Sequence, residues 1–175
     1  MKLFDIIPEC YVDTNVISTL IGADVNHQKG CNSVAKILNQ KMSDRFAVGI
    51  IDKDKRTPGY LDQFQCLAFR DTIELYKHPQ RPHYFILVKP AIETLLTTSA
   101  KEAGIDLKNY NLPSNPELLT KYTKKIDSNT NPLFTRLVNQ IKNADTMKSL
   151  SSTLTYLISH KYTVDTEELT QIFLS

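Results

Sequence analysis

The sequence predicts an α/β fold, and three observations in the 175-residue chain carry that prediction. Continuous apolar segments such as FAVGII, at 46–51, are typical of strands covered on both faces. Segments such as GCNSVAKILNQKM, at 30–42, place apolar residues on one helical face. After residue 104 the strand-like segments stop, and helical segments follow. We therefore expect a small, mostly parallel sheet flanked by helices, of TOPRIM- or Rossmann-like type, with a helical C-terminal part.

The first part of the chain alternates between candidate strands and candidate helices. A short strand at CYV precedes a helix that ends at Gly22, and the helix at 30–42 precedes the strand FAVGII. This order is compatible with right-handed crossover connections between parallel strands. The remaining candidates are the strands CLAFRDTIELYKH and HYFILVK, joined by PQRP, and the helix PAIETLLTTSAKEAG. We expect the two strands to form a hairpin or to lie side by side in the sheet.

The pattern of predicted elements changes at residue 105, and this change sets the expected domain organisation. Residues 105–114 are polar and loop-like, and four short helical segments follow them. Asparagine before proline at 115–116 and at 131–132 is a typical helix start. We expect an α/β core over residues 1–104 and a helical extension over 105–175 that packs on it.

Composition and charge define only the broad class of protein. The net charge of +2 neither requires nor excludes a nucleic-acid partner. Three cysteines without CxxC spacing argue against a secreted disulfide scaffold. The N-terminus has no signal-peptide core, and no apolar run approaches the ~20 residues of a membrane span. A cytoplasmic protein without a membrane partner is expected.

Acidic residues follow two of the predicted strands. Asp13 comes directly after CYV, and Asp52 and Asp54 come after FAVGII. The carboxyl ends of parallel strands meet at one edge of a sheet, where open α/β sheets usually carry their sites. In extended backbone, residues 52 and 54 point to the same side. Clustered carboxylates repel one another, and Mg²⁺, which prefers oxygen ligands, relieves that repulsion. The pattern therefore favours a divalent-metal site over a simple charged turn.

Residues 11–55 resemble a TOPRIM domain, the metal-binding fold of primases, topoisomerases and OLD-type nucleases. The family carries an acid after its first strand, usually the glutamate of Val-Glu-Gly, and Asp-x-Asp after an apolar strand about forty residues on. Here Asp13 stands at the glutamate position, with Thr14 where glycine is usual, and Asp52 and Asp54 form the second motif. Glu9 is a nearby acid that could take the glutamate's place.

The segment HYFILVKPAIETLL extends the resemblance. It is similar to small stand-alone TOPRIM-like proteins linked to phage defence, in which a strand and Pro-x-x-Glu often follow the Asp-x-Asp. Pro90 and Glu93 match that pattern, and Glu93 also suits the first turn of a helix electrostatically.

The resemblance implies a nuclease, an enzyme that cleaves phosphodiesters with Mg²⁺ or Mn²⁺. Phage defence or a mobile element would be its setting. Asp13, Asp52 and Asp54 would be catalytic and would bind the metal, and Glu93 would be a further ligand. The implied partner is DNA or RNA, with a homodimer or a partner protein of a defence system as further options. Cations near the acids would hold backbone phosphates, namely Lys29, Lys53, Lys55 and Arg56.

Two other enzyme families and one non-enzymatic function stay open at this point. Asp13, Thr14 and Asn15 resemble the opening of PIN-domain ribonucleases, whose first strand ends in an aspartate. Haloacid-dehalogenase-type phosphatases also carry Asp-x-Asp after a strand, but near the N-terminus and followed by threonine or valine, unlike Lys55. A catalytically inactive TOPRIM-like binding or regulatory module is the remaining alternative.

Overall fold

The computed structural model describes residues 2–54, 56–123 and 131–175. A five-stranded sheet lies at its centre, with the strand order β2-β4-β7-β6-β5, and β1 and β3 form a separate parallel pair. The strands are β1 Lys2–Leu3, β2 Ile6–Pro8, β3 Asp24–Val25, β4 Ala47–Asp52, β5 Gln65–Arg70, β6 Ile73–Lys77 and β7 His83–Val88. The helices are α1 Tyr11–Ile21, α2 Cys31–Lys36, α3 Ile92–Glu102, α4 Pro116–Thr123, α5 Pro132–Ile141, α6 Asp145–His160 and α7 Thr166–Leu174.

The predicted α/β class, with helices flanking the sheet, is confirmed, but the sheet is mixed rather than mostly parallel. Strands β2, β4 and β7 run parallel, whereas β6 is antiparallel to β7 and β5 is antiparallel to β6. The segment predicted as one strand at 66–78 is in fact the hairpin β5–β6. Asp71, at φ 46°, lies in the tight turn that reverses the chain.

The strand predicted at CYV is wrong, because these residues begin a helix. The first strand of the large sheet is β2, and it ends at Pro8, two residues earlier than CYV begins. Cys10 is the N-cap of α1: its Sγ accepts a hydrogen bond from the amide of Asp13, whose carboxylate accepts one from the amide of Cys10. This reciprocal capping box fixes the helix start and places Asp13 in its first turn.

One cluster of buried apolar side chains joins the sheet to the helices that follow residue 104. It includes Val48 and Ile86 from the sheet, Ile17 from α1, and Leu137 and Leu157 from α5 and α6. The division of the chain at residue 104 therefore stays a prediction. Within the described residues, no helix has the length and apolar character needed to cross a membrane.

Gly49 lies in the middle of β4, opposite Phe85 of β7 and beneath Val34 of α2. A Cβ atom there would lie 2.5 Å from Phe85 Cε1 and 2.9 Å from Val34 Cγ1. Because all three elements are packed in the core, we expect Gly49→Ala to lower the free energy of unfolding by about 1–3 kcal/mol. Urea denaturation would measure this change in the free energy of unfolding. Gly59→Ala is the matched control, since a Cβ there meets nothing within 4 Å; equal midpoints for the two variants would contradict this packing.

Candidate functional site

Four carboxylates lie at the carboxyl edge of the parallel strands, and we call them the carboxylate cluster: Glu9, Asp13, Asp52 and Glu93. Glu9 follows β2, Asp52 ends β4, and Glu93 lies in the first turn of α3, which follows β7. Asp13 joins them from the first turn of α1. The parallel arrangement of β2, β4 and β7 therefore gathers acids from four separate segments of the chain.

Glu9 and Asp52 are anchored by backbone amides of neighbouring elements. Glu9 Oε2 accepts a hydrogen bond of 3.0 Å from the amide of Asp52, which ties the end of β2 to the end of β4. Asp52 Oδ1 in turn accepts one of 3.0 Å from the amide of Ile92, at the start of α3. A carboxylate at a helix N-terminus is favourably placed, and these bonds fix both side chains at the sheet edge.

Asp13 is completely buried, and only one of its two carboxylate oxygens accepts a hydrogen bond among the described residues. Its Oδ2 accepts the capping hydrogen bond of 3.1 Å from the amide of Cys10. Its Oδ1 has no hydrogen-bond partner among the residues that the structure describes. A buried carboxylate oxygen without a partner is costly, and such an atom in a native structure calls for a ligand or a proton.

Glu93 connects the cluster to the helical C-terminal part. The side chain is buried, and its Oε1 accepts a hydrogen bond of 2.8 Å from Thr123 Oγ1, at the end of α4. The residue thus lies close to the other acids without being exposed to solvent. The hydroxyl of Thr123 neutralises none of its charge.

The pKa values show that the four acids interact electrostatically. Burial raises the pKa of Asp52 well above its usual range, and the charges of Asp13, Glu9 and Glu93 raise it further. Burial likewise raises the pKa of Asp13, and Glu9 and Glu93 add to the effect. The pKa of Glu9 is also raised, chiefly by burial. A cluster of this kind holds its acids in the charged form only with the help of a cation.

Asp54 and the predicted phosphate-binding cations lie outside the cluster. The strand ends at Asp52, so the regular alternation does not continue, and the exposed Asp54 accepts a hydrogen bond of 2.8 Å from the amide of Arg56. Its charge contributes to the raised pKa of Glu9, so it lies near the cluster. Lys53 forms an ion pair of 2.8 Å with Glu74 on β6. Lys29 and Arg56 are exposed, and Lys55 lies outside the described residues.

Glu9 is the residue whose role sequence reasoning underestimated. Asp13 was predicted to follow the first strand, whereas Glu9 follows β2 in the structure. The sequence offers one signal for this arrangement, the apolar pair Ile6–Ile7 before Pro8. The resemblance to PIN-domain ribonucleases required a strand that ends at Asp13. In the structure Asp13 lies in the first turn of α1 instead.

The oxygen-only composition of the cluster suits Mg²⁺ or Mn²⁺ better than softer metals. Within residues 2–54, 56–123 and 131–175, however, no three His, Cys, Asp or Glu side chains form a ready-made ligand set. The cluster therefore fits a hard cation by donor type and by charge, and not by preformed coordination geometry.

Comparison with known proteins adds no further assignment. No protein-family model, no curated protein and no solved structure matches this chain.

Proposed function

We propose that the carboxylate cluster binds Mg²⁺ or Mn²⁺ and that the protein is a metal-dependent nuclease of TOPRIM type. The observation that carries the proposal is Asp13, a fully buried carboxylate with one unpartnered oxygen, surrounded by other acids. A structural ion pair would have supplied a basic partner. A divalent cation would satisfy the open oxygen and the surplus negative charge together.

Glu9, Asp13 and Asp52 would hold the cation, with Glu93 as a fourth oxygen donor. A bound divalent ion would stabilise negative charge on a phosphodiester and lower the pKa of a coordinated water. The protein's own contribution is to hold Glu9 and Asp52 in place through backbone amides of β4 and α3. Asp54, exposed beside Glu9, is placed on the solvent side, where substrate would enter.

The arrangement also supports the TOPRIM resemblance in a corrected form. Glu9, and not Asp13, follows β2, so Glu9 would stand at the position of the family glutamate. It lies 43 residues before Asp52, close to the family spacing. Asp13 then becomes an additional acid on the helix that follows. The antiparallel strands β5 and β6 depart from the mostly parallel sheet of the family, but they lie away from the edge that β2 and β4 form.

Exposed cations would contact the nucleic acid. Lys29 precedes α2 and Arg56 follows Asp54, so both lie close in sequence to elements that border the cluster. Lys53 is the weaker candidate, because its ammonium group pairs with Glu74 and would have to leave that partner. Phosphate contacts of this kind would make binding dependent on salt but not on base sequence.

The proposal is tested by incubating the protein with single- and double-stranded DNA and RNA in Mg²⁺, in Mn²⁺ and in EDTA. We expect cleavage of at least one substrate with either metal and none in EDTA. Glu9→Gln is expected to remove the activity, whereas Glu102→Gln, an exposed glutamate at the end of α3, is expected to keep it. Cleavage that persists in EDTA, or in Glu9→Gln, would refute this assignment.

A non-enzymatic binding module is the second candidate, because the part of the chain that the structure describes shows no ready-made ligand set. In that case the protein would bind nucleic acid through exposed cations such as Lys29 and Arg56, and the cluster would hold protons instead of a metal. The same experiment separates the two functions: gel-shift binding without cleavage under every metal condition supports the module.

A further inference from the structure

A pocket lined by charged and aromatic side chains lies where the parallel strands begin, at the edge of the sheet opposite the carboxylate cluster. This cavity of about 250 Å³ is bordered by residues that precede β2 and β4 and by the turn after α6. We call it the amino-edge pocket and define it by Lys2, Phe4, Arg45, Phe46, Lys161 and Tyr162. The length of β4, roughly 17–20 Å at the usual strand rise, separates it from the carboxylate cluster.

The charge of the pocket is predominantly positive. Lys2, Arg45 and Lys161 line it, and Asp5 is the one acidic residue among the lining side chains described. Lys161 Nζ lies 2.7 Å from Asp5 Oδ2, which holds its ammonium group in position. Two cations remain beyond this pair, so an anion would meet a net attraction.

Two exposed aromatic rings flank the cations. Phe4 is 62% exposed and Tyr162 is 64% exposed, so a ligand can reach both rings from solvent. Tyr162 is nevertheless fixed, because its hydroxyl accepts a hydrogen bond of 3.1 Å from the amide of Phe46. Lys2 lies 5.3 Å from the centre of the Phe4 ring. Planar ligands stack on such rings, and phosphates bind such cations.

The backbone holds one of these cations in a strained conformation. Lys161 has φ 45° and ψ −91°, a region that disfavours residues with a Cβ. Such strain persists only where the surrounding structure enforces it, and it is concentrated at binding and active sites. Here it turns the chain from α6 so that Lys161 and Tyr162 both face the pocket.

We propose that the amino-edge pocket binds a nucleotide, with its phosphate on Arg45, Lys161 and Lys2 and its base on an exposed ring. The volume is smaller than the ~300–1,000 Å³ of typical drug-sized sites, so only the phosphate and sugar would enter it. The base would lie outside, against Phe4 or Tyr162. The ligand is either a free nucleotide or one nucleotide of a strand, and the pocket does not depend on the nuclease proposal.

The test is an NMR titration of the ¹⁵N-labelled protein with adenosine 5′-monophosphate in EDTA. We expect shifts at the amides of Phe4, Arg45 and Tyr162. Arg45→Gln should weaken binding at least fivefold, and Lys142→Gln, an exposed cation at the end of α5, should leave it unchanged. Either Phe4→Ser or Tyr162→Ser should remove the advantage of the nucleotide over inorganic phosphate, and the variant that does so identifies the ring that holds the base.

Further arms identify the source of the nucleotide. Tighter binding of a hexa-adenylate than of the monophosphate would indicate a nucleic-acid strand, and equal or weaker binding would indicate a free nucleotide. The proposal is overturned if the monophosphate shifts no amide of the pocket, or if Arg45→Gln and Lys142→Gln bind alike. Because EDTA is present throughout, failure here leaves the metal-dependent activity of the cluster untouched.

Discussion

Replacing Asp52 with asparagine is expected to abolish metal-dependent cleavage and at the same time to stabilise the metal-free protein. The activity should fall roughly 10²–10³-fold, as it does when a group that organises charge stabilisation is lost. The stability should rise by about 1–3 kcal/mol at pH 8, because the folded metal-free protein must keep a proton on Asp52 that the unfolded chain releases, and one pKa unit corresponds to about 1.4 kcal/mol. Asparagine retains the Oδ1 that accepts from Ile92, so the start of α3 is preserved.

Two matched variants make this result specific. Asp54→Asn removes an exposed charge two residues away and should change stability by no more than about 0.5 kcal/mol. Asp62→Asn, exposed in the turn Gly59–Gln63, should change neither stability nor activity. Unfolding in urea with EDTA and a nuclease assay with Mn²⁺ provide the two measurements. A metal-free Asp52→Asn protein that is less stable than the wild type would show that the acids do not repel one another as described.

Addition of Mn²⁺ is expected to stabilise the wild-type protein, and to do so more at pH 8 than at pH 5.5. A ligand that binds only the folded state adds about 3–4 kcal/mol at 100 to 1,000 times its Kd, which corresponds to roughly 6–16 °C in Tm for a chain of this size. Asp13→Asn should lose most of this gain. Asp62→Asn should retain it.

The direction of the pH effect follows from the raised pKa values of Asp13 and Asp52. The folded metal-free protein keeps protons that the unfolded chain releases, so its stability falls as pH rises from the ordinary aspartate range through the raised values. His78 and His83 act in the opposite direction, because burial lowers their pKa values. Both histidines are present with and without bound Mn²⁺. The difference between the two profiles of Tm against pH therefore reports the carboxylate cluster. Equal gains at pH 5.5 and pH 8 would contradict the assignment.

The sequence predicted the sheet edge that carries the site, but not all of its members. Strand β4 and its terminal Asp52 were evident from a continuous apolar run that ends in charge. The role of Glu9 was harder to predict, because β2 has only three residues and ends in proline, which gives almost no periodic signal. The apolar residues CYV therefore predict the first strand too late in the chain, with Asp13 instead of Glu9 after it.

The sequence predicted only part of the antiparallel half of the sheet. The link PQRP indicated a hairpin or two neighbouring strands, and the antiparallel pair β6–β7 agrees with the first of these, but the chain reversal at Asp71 that creates β5 has no glycine or proline to mark it. The pairing of Lys53 with Glu74 depends on this order, since it places the start of β6 beside the end of β7. Residues that are distant in sequence meet only once this order is known.

Three backbone amides give the carboxylate cluster its own spectroscopic readout. The amides of Cys10, Asp52 and Ile92 each donate to a different acid, namely Asp13, Glu9 and Asp52. They belong to three separate junctions, at the starts of α1 and α3 and at the end of β4. Their hydrogen-exchange rates and proton resonance frequencies therefore depend on whether the acids are protonated, ionised or bound to a cation. The state of a buried site can thus be followed in the intact protein, without substrate and without a label at the acids themselves.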